Sequence, residues 1–205
     1  MVGKEELTVI IDDFLMKKLE NNLKELESGF INQRQKVTES FTAALNSLCT
    51  TVKQQQANGI KPPISYLHIA FLRSGLLMET YEFMLAMYSS QYWLDPVETN
   101  SYWKFDYAFQ HASHDISELQ ALLKGKYSIT EYELQEIKFR YLQLYLPIAQ
   151  RLIGEFAPDA VKKSDFMQLS LDDMGYSVIY GGHMEENTFL YTINPKYKAD
   201  MSEVI

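Results

Sequence analysis

One short stretch of the chain carries two histidines and two carboxylates at helical spacing. It reads HASHDISE and contains His111, His114, Asp115 and Glu118. On a helix, residues three and four apart lie on the same side, so these groups can converge on one ion. Imidazole and carboxylate ligands suit zinc, iron or manganese, and Glu79 or Glu82 from a neighbouring element would complete the ligand set. The sequence therefore offers a candidate transition-metal site.

The same stretch also has an ordinary explanation. Ala112 and Ile116 occupy the apolar positions of the predicted helix, which places His111 and Asp115 at the boundary of its buried stripe. A solvated helix face with local hydrogen bonds accounts for these residues without any ion. The spacing also differs from the Glu-x-x-His pairs of di-iron bundles and from the His-Glu-x-x-His motif of zinc proteases. We therefore treat metal binding as the alternative hypothesis.

Two further polar residues interrupt the most apolar part of the chain. Arg73 lies in the apolar run from Ile64 to Met78 and needs an acidic partner, for which Glu79 and Glu82 are near in sequence. Such a pair can bind the carboxylate or phosphate of a substrate, but an internal ion pair is the commoner role. His68 is interpreted as a histidine of the core or its boundary.

Aromatic residues are concentrated between positions 88 and 107. They are Tyr88, Tyr92, Trp93, Tyr102, Trp103, Phe105 and Tyr107. Tyrosine and tryptophan are favoured where one end of the side chain is packed and the other contacts water or a partner. The cluster is therefore either ordinary core, an interface hot spot or the wall of a ligand pocket. Trp93, Tyr102 and Trp103 are the residues we expect in an interface.

Other signals of catalysis are weak. Cys49 has no neighbouring histidine or dense positive charge that would lower the pKa of its thiol, so we do not expect a nucleophile there. The Tyr180–His183 segment lacks the lysine and the hydroxyl residue of a phosphate-binding loop. No catalytic set is predicted, and an enzyme is the less favoured class. We expect no cofactor, with a transition-metal ion as the alternative.

The elements that must position these residues begin with a long helical pattern. Between Leu7 and Val52, apolar residues recur at steps of three and four, which is typical of a helix packed along its whole length. Ser28-Gly29 and Gln33 interrupt the pattern. The segment is therefore either one helix of roughly 45 residues that pairs with a second chain, or a hairpin that folds back at Gly29. The interface residues expected in it are Leu19, Leu23, Leu26 and Phe30.

A polar, proline-containing segment follows this helical pattern and predicts a boundary between two parts of the chain. Residues 58–63 contain Pro62 and Pro63, which cannot continue a helix. We predict a coiled-coil-like arm at residues 1–57, a linker at 58–63 and a compact domain at 64–205. Charge and composition fit a packed protein, with a formal net charge of −8 and 46% hydrophobic residues.

Within the predicted domain, most of the patterns are helical. Ile64–Met78 predicts a short buried helix, residues 81–94 favour strands over a helix, and Asp95-Pro96 predicts the start of a helix. Further helices are predicted at Phe105–Lys124, from the capping boxes at Ser128 and Thr130 through Pro147 to Phe156, where the proline predicts a kink, and at Asp159–Leu169. Tyr176–Tyr180 and Thr188–Ile193 predict a β-hairpin. The predicted fold is mainly α, with α+β at the margin and a small antiparallel sheet.

Charge and cysteine content restrict the function. The acidic balance makes nucleic acid an improbable partner, and one cysteine without a signal peptide or a long apolar segment predicts a soluble cytoplasmic protein away from the membrane. We therefore expect a non-enzymatic interaction or scaffold protein, a homo-oligomer or the partner of another protein, that uses the N-terminal heptads and the aromatic cluster. A metal-binding protein or metal-dependent enzyme is the alternative, and a small-molecule sensor with an aromatic pocket is the third hypothesis.

Overall fold

The computed structural model describes residues 4–125, 127, 129–182 and 187–193. Within these residues, one long helix and several shorter helices pack against a five-stranded sheet. The helices are α1 (Lys4–Ala57), α2 (Arg73–Leu77), α3 (Asp106–Phe109), α4 (Ala112–Leu123), α5 (Glu131–Gln143) and α6 (Leu146–Lys163). The strands are β1 (Tyr66–Phe71), β2 (Glu82–Tyr88), β3 (Asn100–Lys104), β4 (Tyr176–Gly182) and β5 (Asn187–Ile193). None of the described helices is both long and apolar enough to span a membrane.

The sheet is larger than the sequence predicted, and its topology is mixed. The strand order is β3-β2-β1-β4-β5, with β1 and β4 parallel in the centre and antiparallel pairs on both sides. The prediction of a mainly α fold with a small antiparallel sheet is therefore wrong, and the protein is α+β. The predicted C-terminal hairpin of β4 and β5 is present, but it joins the other strands in one sheet through β1.

The error arose largely in the run from Ile64 to Met78, which we interpreted as a helix. Tyr66–Phe71 is instead a strand, and only Arg73–Leu77 is helical. Short apolar runs do not distinguish a buried strand from a buried helix, because neither leaves a polar face to set the period. The strand is buried on both sides because β1 is a central strand of the sheet.

The long helix α1 is continuous through Gly29. It spans 54 residues, about 80 Å at the standard rise, so the hairpin alternative is wrong. A Cβ atom at Gly29 would lie 3.0 Å from the hydroxyl oxygen of Tyr107, and that hydroxyl donates to the carbonyl of Leu26 at 2.7 Å. The glycine thus admits a tyrosine against the helix backbone, and it does not end the helix.

One side of α1 is buried against the rest of the same chain. Its buried apolar positions include Ile11, Leu15, Leu19, Leu26, Phe30, Val37, Phe41, Leu45, Leu48 and Val52, which belong to one core with the sheet and the other helices. Residues 31–36, including Gln33, are all exposed and interrupt this stripe. The helix therefore packs intramolecularly along most of its length. The division into arm, linker and domain stays a prediction about folding units.

Three of the predicted helix boundaries need correction. No described helix begins at Asp95-Pro96, because the Asp95 carboxylate accepts backbone hydrogen bonds from Ser89 and Val97 within a loop. Phe105–Lys124 contains two helices, α3 and α4. The helix predicted to run to Phe156 is also divided, and Pro147 lies in the first turn of α6, where a proline needs no amide partner and causes no kink.

The predicted start of α5 is confirmed. The hydroxyl of Thr130 accepts from the Glu133 amide at 3.2 Å, and the Glu133 carboxylate accepts from the Thr130 amide at 3.0 Å. This reciprocal pair is a capping box. The alternative box that begins at Ser128 lies outside the described residues, as does His183. The predicted helix at Asp159–Leu169 is replaced by the end of α6 and a 3-10 turn at Asp165–Gln168.

The two faces of the sheet have different surroundings. The helix face packs against α1 and α6 and presents Leu67, Ile69, Phe83, Leu85, Trp103, Val178 and Tyr180. Alternation along the strands places the other residues on the opposite, aromatic face, which presents Tyr66, His68, Ala70, Met84, Ala86, Tyr88, Tyr102, Ile179 and Phe189.

Candidate interaction surface

The aromatic residues that are clustered in sequence are separated by the sheet. Trp103 and Phe105 are buried on the helix face, where their rings stack at 4.7 Å and Trp103 donates to the Ser40 hydroxyl of α1 at 3.0 Å. Tyr88 and Tyr102 lie on the aromatic face. One run of aromatic residues therefore serves two surfaces, because successive side chains of a strand point to opposite sides.

A loop between β2 and β3 folds over one end of the aromatic face. Its 3-10 turn at Tyr92–Leu94 places the Trp93 ring 5.4 Å from His68 and 5.3 Å from Tyr88, centroid to centroid. Tyr92 packs edge-on against Tyr66 at 5.0 Å. The backbone of Tyr92 has a φ of 50°, in the left-handed region that a residue with a Cβ adopts at some cost. Ring packing and the contacts of the loop hold it in this conformation.

A buried ion pair anchors this loop, which we call the aromatic loop (residues 89–97). The side chains of Lys61 and Asp95 are both inaccessible to solvent, and Nζ lies 2.9 Å from Oδ2. The lysine also donates to the carbonyl of Val97, while Asp95 accepts from the backbone amide of Ser89 at 2.7 Å. Burial alone would raise the pKa of Asp95, but the hydrogen bonds from Ser89, Lys61 and Val97 outweigh it and lower the pKa.

The exposed part of the aromatic face carries large apolar residues together with the exposed Lys104 and Thr192. Tyr102 on β3 is 56% exposed and Phe189 on β5 is 63% exposed, while Trp93 and Leu94 of the aromatic loop are 38% and 83% exposed. Between them His68, Ala70 and Ala86 are fully buried. The face thus has a closed centre and large apolar side chains around it that reach solvent.

The predicted interface residues of α1 lie elsewhere. Leu19, Leu26 and Phe30 are at most 5% exposed in the core of the same chain, and Leu23 is partly buried against that core. Trp103 is 3% exposed. Of the predicted interface residues, Trp93 and Tyr102 are the most accessible in the described chain.

The candidate metal ligands come together only in part. Ligand atoms of His114, Asp115 and Glu118 lie within 4.8 Å of one another on α4. His114 is well exposed, and its Nε2 is 3.9 Å from the Glu118 carboxylate, which also forms an ion pair with Lys18 of α1. That ion pair lowers the pKa of Glu118. A cation at this position would compete with the lysine for the carboxylate.

Asp115 is part of a buried polar cluster that the sequence did not indicate. Its Oδ2 accepts from the Asn22 amide of α1 at 2.6 Å and from the Tyr141 hydroxyl of α5 at 2.6 Å, and the Tyr145 hydroxyl accepts from Asn22 at 2.9 Å. Burial, followed by the contact with Asp115, raises the pKa of Tyr141, which keeps its hydroxyl protonated as a donor. The Asp115 carboxylate therefore links α1, α4 and α5. Its Oδ2 atom is already engaged in these hydrogen bonds and is less available to a metal ion.

The remaining candidate residues are separated from this group. His111 faces Glu25 of α1 at 3.8 Å, and Glu82 lies opposite Lys104 in the β2–β3 pair. Glu79 accepts from Ser113 at 2.6 Å and pairs with Lys138, which lowers its pKa. The Arg73 guanidinium lies 5.1 Å from the ring of Phe139, in a cation–π contact. It therefore packs on an aromatic ring, and the predicted pairing with Glu79 or Glu82 is not seen in the described residues.

Sequence reasoning missed the residues that organise the surface. Lys61 lies in the predicted linker and Asp95 in a helix-start pattern, and nothing in their local sequence indicates that they meet. Phe189 was recognised only as a strand residue, although a large apolar residue on an edge strand is itself a signal of an accessible surface. Leu94 had no signal beyond its aromatic neighbours.

No protein-family model matches the chain, and neither a curated protein nor a solved structure matches it.

Proposed function

We propose that the protein is a non-enzymatic binding protein that docks another protein on the exposed part of its aromatic face. One observation carries the proposal: Trp93, Tyr102 and Phe189 reach solvent on the aromatic face, which lies away from α1 and α6, and Leu94 is exposed next to Trp93 in the aromatic loop. Tyr102 and Phe189 lie on opposite edge strands, about 19 Å apart at the usual strand spacing, so they bound this surface on two sides. Accessible aromatic residues of this kind are typical of interface hot spots. The buried heptad residues of α1 are not part of this docking surface.

Charge indicates the chemistry of the partner. The chain has a formal net charge of −8, and Glu98 beside β3 and Asp173 beside β4 are both exposed. A partner with an apolar patch and a basic rim complements such a surface, because the rim charges accelerate encounter while the apolar centre supplies affinity. We therefore expect a basic protein partner.

Site-specific photo-cross-linking tests the proposal in the cells that make the protein. A benzophenone amino acid replaces Tyr102 in one protein and Ile31, 79% exposed on α1, in a matched control. We expect a discrete adduct with a basic protein from position 102 that disappears when Leu94→Asp is added. Equal adducts from both positions, or persistence of the adduct in the Leu94→Asp variant, would contradict the proposal. Circular dichroism checks that each variant folds.

Metal binding is a second candidate, favoured by the three ligand groups that converge on α4. His114 and Glu118 are four residues apart and accessible, so both can turn towards an ion. Zinc or manganese added to the purified protein should raise its melting temperature if the site binds, and His114→Ala should abolish the rise. Absence of any rise, with no metal found by elemental analysis, would eliminate this candidate.

A further inference from the structure

The strand at one edge of the sheet has no charge and no proline. Among the described strands, β5 is paired only with β4. Its central residues, Thr188 to Thr192, read Thr-Phe-Leu-Tyr-Thr, all of them good strand formers. Natural proteins usually protect an edge of this kind with lysine, proline or a covering element, because its unpaired backbone groups pair with other strands.

The opposite edge shows the usual protection. β3 has five residues, ends in Lys104 and is tied to α1 by two side-chain hydrogen bonds. Ser101 donates to the Ala44 carbonyl at 3.2 Å, and Trp103 donates to the Ser40 hydroxyl at 3.0 Å. The two edges of one sheet therefore differ in length, charge and attachment. That difference leaves the β5 edge open to a further strand.

A β-bulge in β5 restricts the strand that it can accept. Tyr191 lies opposite Val178 and Phe189 opposite Ile179, so Leu190 has no counterpart on β4. Leu190 and Tyr191 both pack towards the core of the helix face, whereas Phe189 and Thr192 lie on the aromatic face with Ile179 and Ser177. The bulge increases the local twist and blunts the edge for partners without a matching bulge.

A second copy of β5 carries the matching bulge. Residues opposite each other in adjacent strands must lie on the same face of the sheet. For two antiparallel copies, this condition holds when Phe189 lies opposite Thr192 of the partner copy and Leu190 opposite Tyr191. A register one residue away in either direction places residues of opposite faces together. The resulting pairs of an aromatic with a β-branched or aliphatic side chain are favourable ones.

We propose that two copies of the chain associate through antiparallel pairing of their β5 strands in this register. The arrangement is symmetric, as expected of a self-complementary interface. The strand itself is uncharged although each chain is acidic, and Lys162 of α6 lies 4.9 Å from the ring of its Tyr191. It joins the two sheets into one and places both aromatic faces on the same side. This inference does not depend on the proposed partner, and either can fail without the other.

Charge substitutions at two exposed positions test the register. Phe189→Lys with Thr192→Lys places lysine opposite lysine twice across the axis, whereas Phe189→Lys with Thr192→Glu places lysine opposite glutamate twice. Both variants lose the same hydrogen bond between Ser177 and Thr192, so they are matched. Tyr102→Lys puts one charge on the opposite edge, as a control. Masses are measured by sedimentation equilibrium at low salt across micromolar concentrations.

We expect the unaltered chain and the Tyr102→Lys control to dimerise alike. The dimer dissociation constant of the lysine–lysine variant should be at least about tenfold higher than that of the lysine–glutamate variant. A monomeric unaltered chain would overturn the proposal, as would equal masses for the two double variants when both remain folded. Disappearance of the difference at high salt would further support pairing of the charges across the axis, because salt screens both the repulsion and the attraction.

Discussion

Both faces of the sheet carry aromatic residues, but those of the helix face are buried and several of those on the aromatic face reach solvent. On the helix face, Phe41 of α1, Trp103 of β3 and Phe156 of α6 pack edge to face at 5.1 to 5.9 Å and are at most 3% exposed. On the aromatic face, Tyr102 and Phe189 extend into solvent. Aromatic content alone therefore does not distinguish core from surface, and the element that covers each face decides its role.

The two faces also differ in the interactions that hold the elements packed against them. The helix face is closed by two long helices through apolar contacts. The end of the aromatic face is closed by a short loop that depends on one buried ion pair and a strained tyrosine. An apolar cover contributes stability directly, whereas a buried ion pair contributes little net stability but fixes one conformation. The helix face therefore supplies most of the apolar burial, whereas the aromatic face leaves large apolar side chains accessible.

The largest expected effect comes from opening the helix face. Phe41→Ala removes a fully buried ring from the contact between α1, β3 and α6. We expect it to lower the free energy of unfolding by about 3–5 kcal/mol, because the cavity cannot close among these rings. Urea denaturation measures the change. Tyr102→Ala on the aromatic face serves as the comparison and should cost at most about 1 kcal/mol. Similar losses for both would remove the distinction between the faces.

The second effect concerns the cover of the aromatic face. Lys61→Met leaves the Asp95 carboxylate buried without its partner and should destabilise the protein by about 3 kcal/mol. Replacing both residues, with Lys61→Met and Asp95→Asn together, should recover part of that loss, because no uncompensated charge remains and the amide oxygen can still accept from a backbone amide of the loop. Thermal unfolding of the three proteins provides the test. Equal stability of the two variants would mean that the ion pair does not hold the loop.

A smaller effect follows from the pKa of Asp95. Because hydrogen bonds lower this pKa in the folded protein, its carboxylate stabilises the fold at any pH above its unfolded value near 4, and the contribution is lost as the pH falls through the lower folded value. In a Trp103→Phe protein, Trp93 fluorescence should therefore be constant from pH 7 to about 4 and change below it. Asp95→Asn should remove that acid transition. A transition that is unchanged in Asp95→Asn would assign it to other carboxylates.

The smallest effect uses the one cysteine. Cys49 of α1 is 1% exposed towards the helix face, and burial raises the pKa of its thiol to about 12. We expect it to react with a thiol reagent only after the protein unfolds. Mass spectrometry measures how fast the reagent adds to Cys49. Rapid addition in the native protein would contradict this expectation and would show that α1 leaves the sheet readily.

Some of the fold followed from local pattern. The long apolar stripe predicted α1, alternation of aromatic residues predicted β2, and the capping box predicted the start of α5. These features arise within a few residues of each other in sequence, where spacing determines which side chains share a face.

The rest depended on contacts between distant residues. β1 pairs in parallel with β4, about 110 residues later in the chain, and a strand buried on both faces has no alternation to reveal it. Gly29 predicts a break in the helix, because the local sequence does not show that Tyr107 packs against it. The candidate surface was predicted in part: Trp93 and Tyr102 were identified, but Lys61 and Asp95 meet only in the folded chain.

The chain has one tryptophan on each side of this comparison, and their accessibility tests it most directly. Acrylamide quenching of a Trp103→Phe protein reports on Trp93, and quenching of a Trp93→Phe protein reports on Trp103. With 38% of Trp93 exposed and 3% of Trp103, we predict that Trp93 is quenched several times more strongly. Equal quenching of the two residues in folded proteins would contradict the account of one closed and one accessible face.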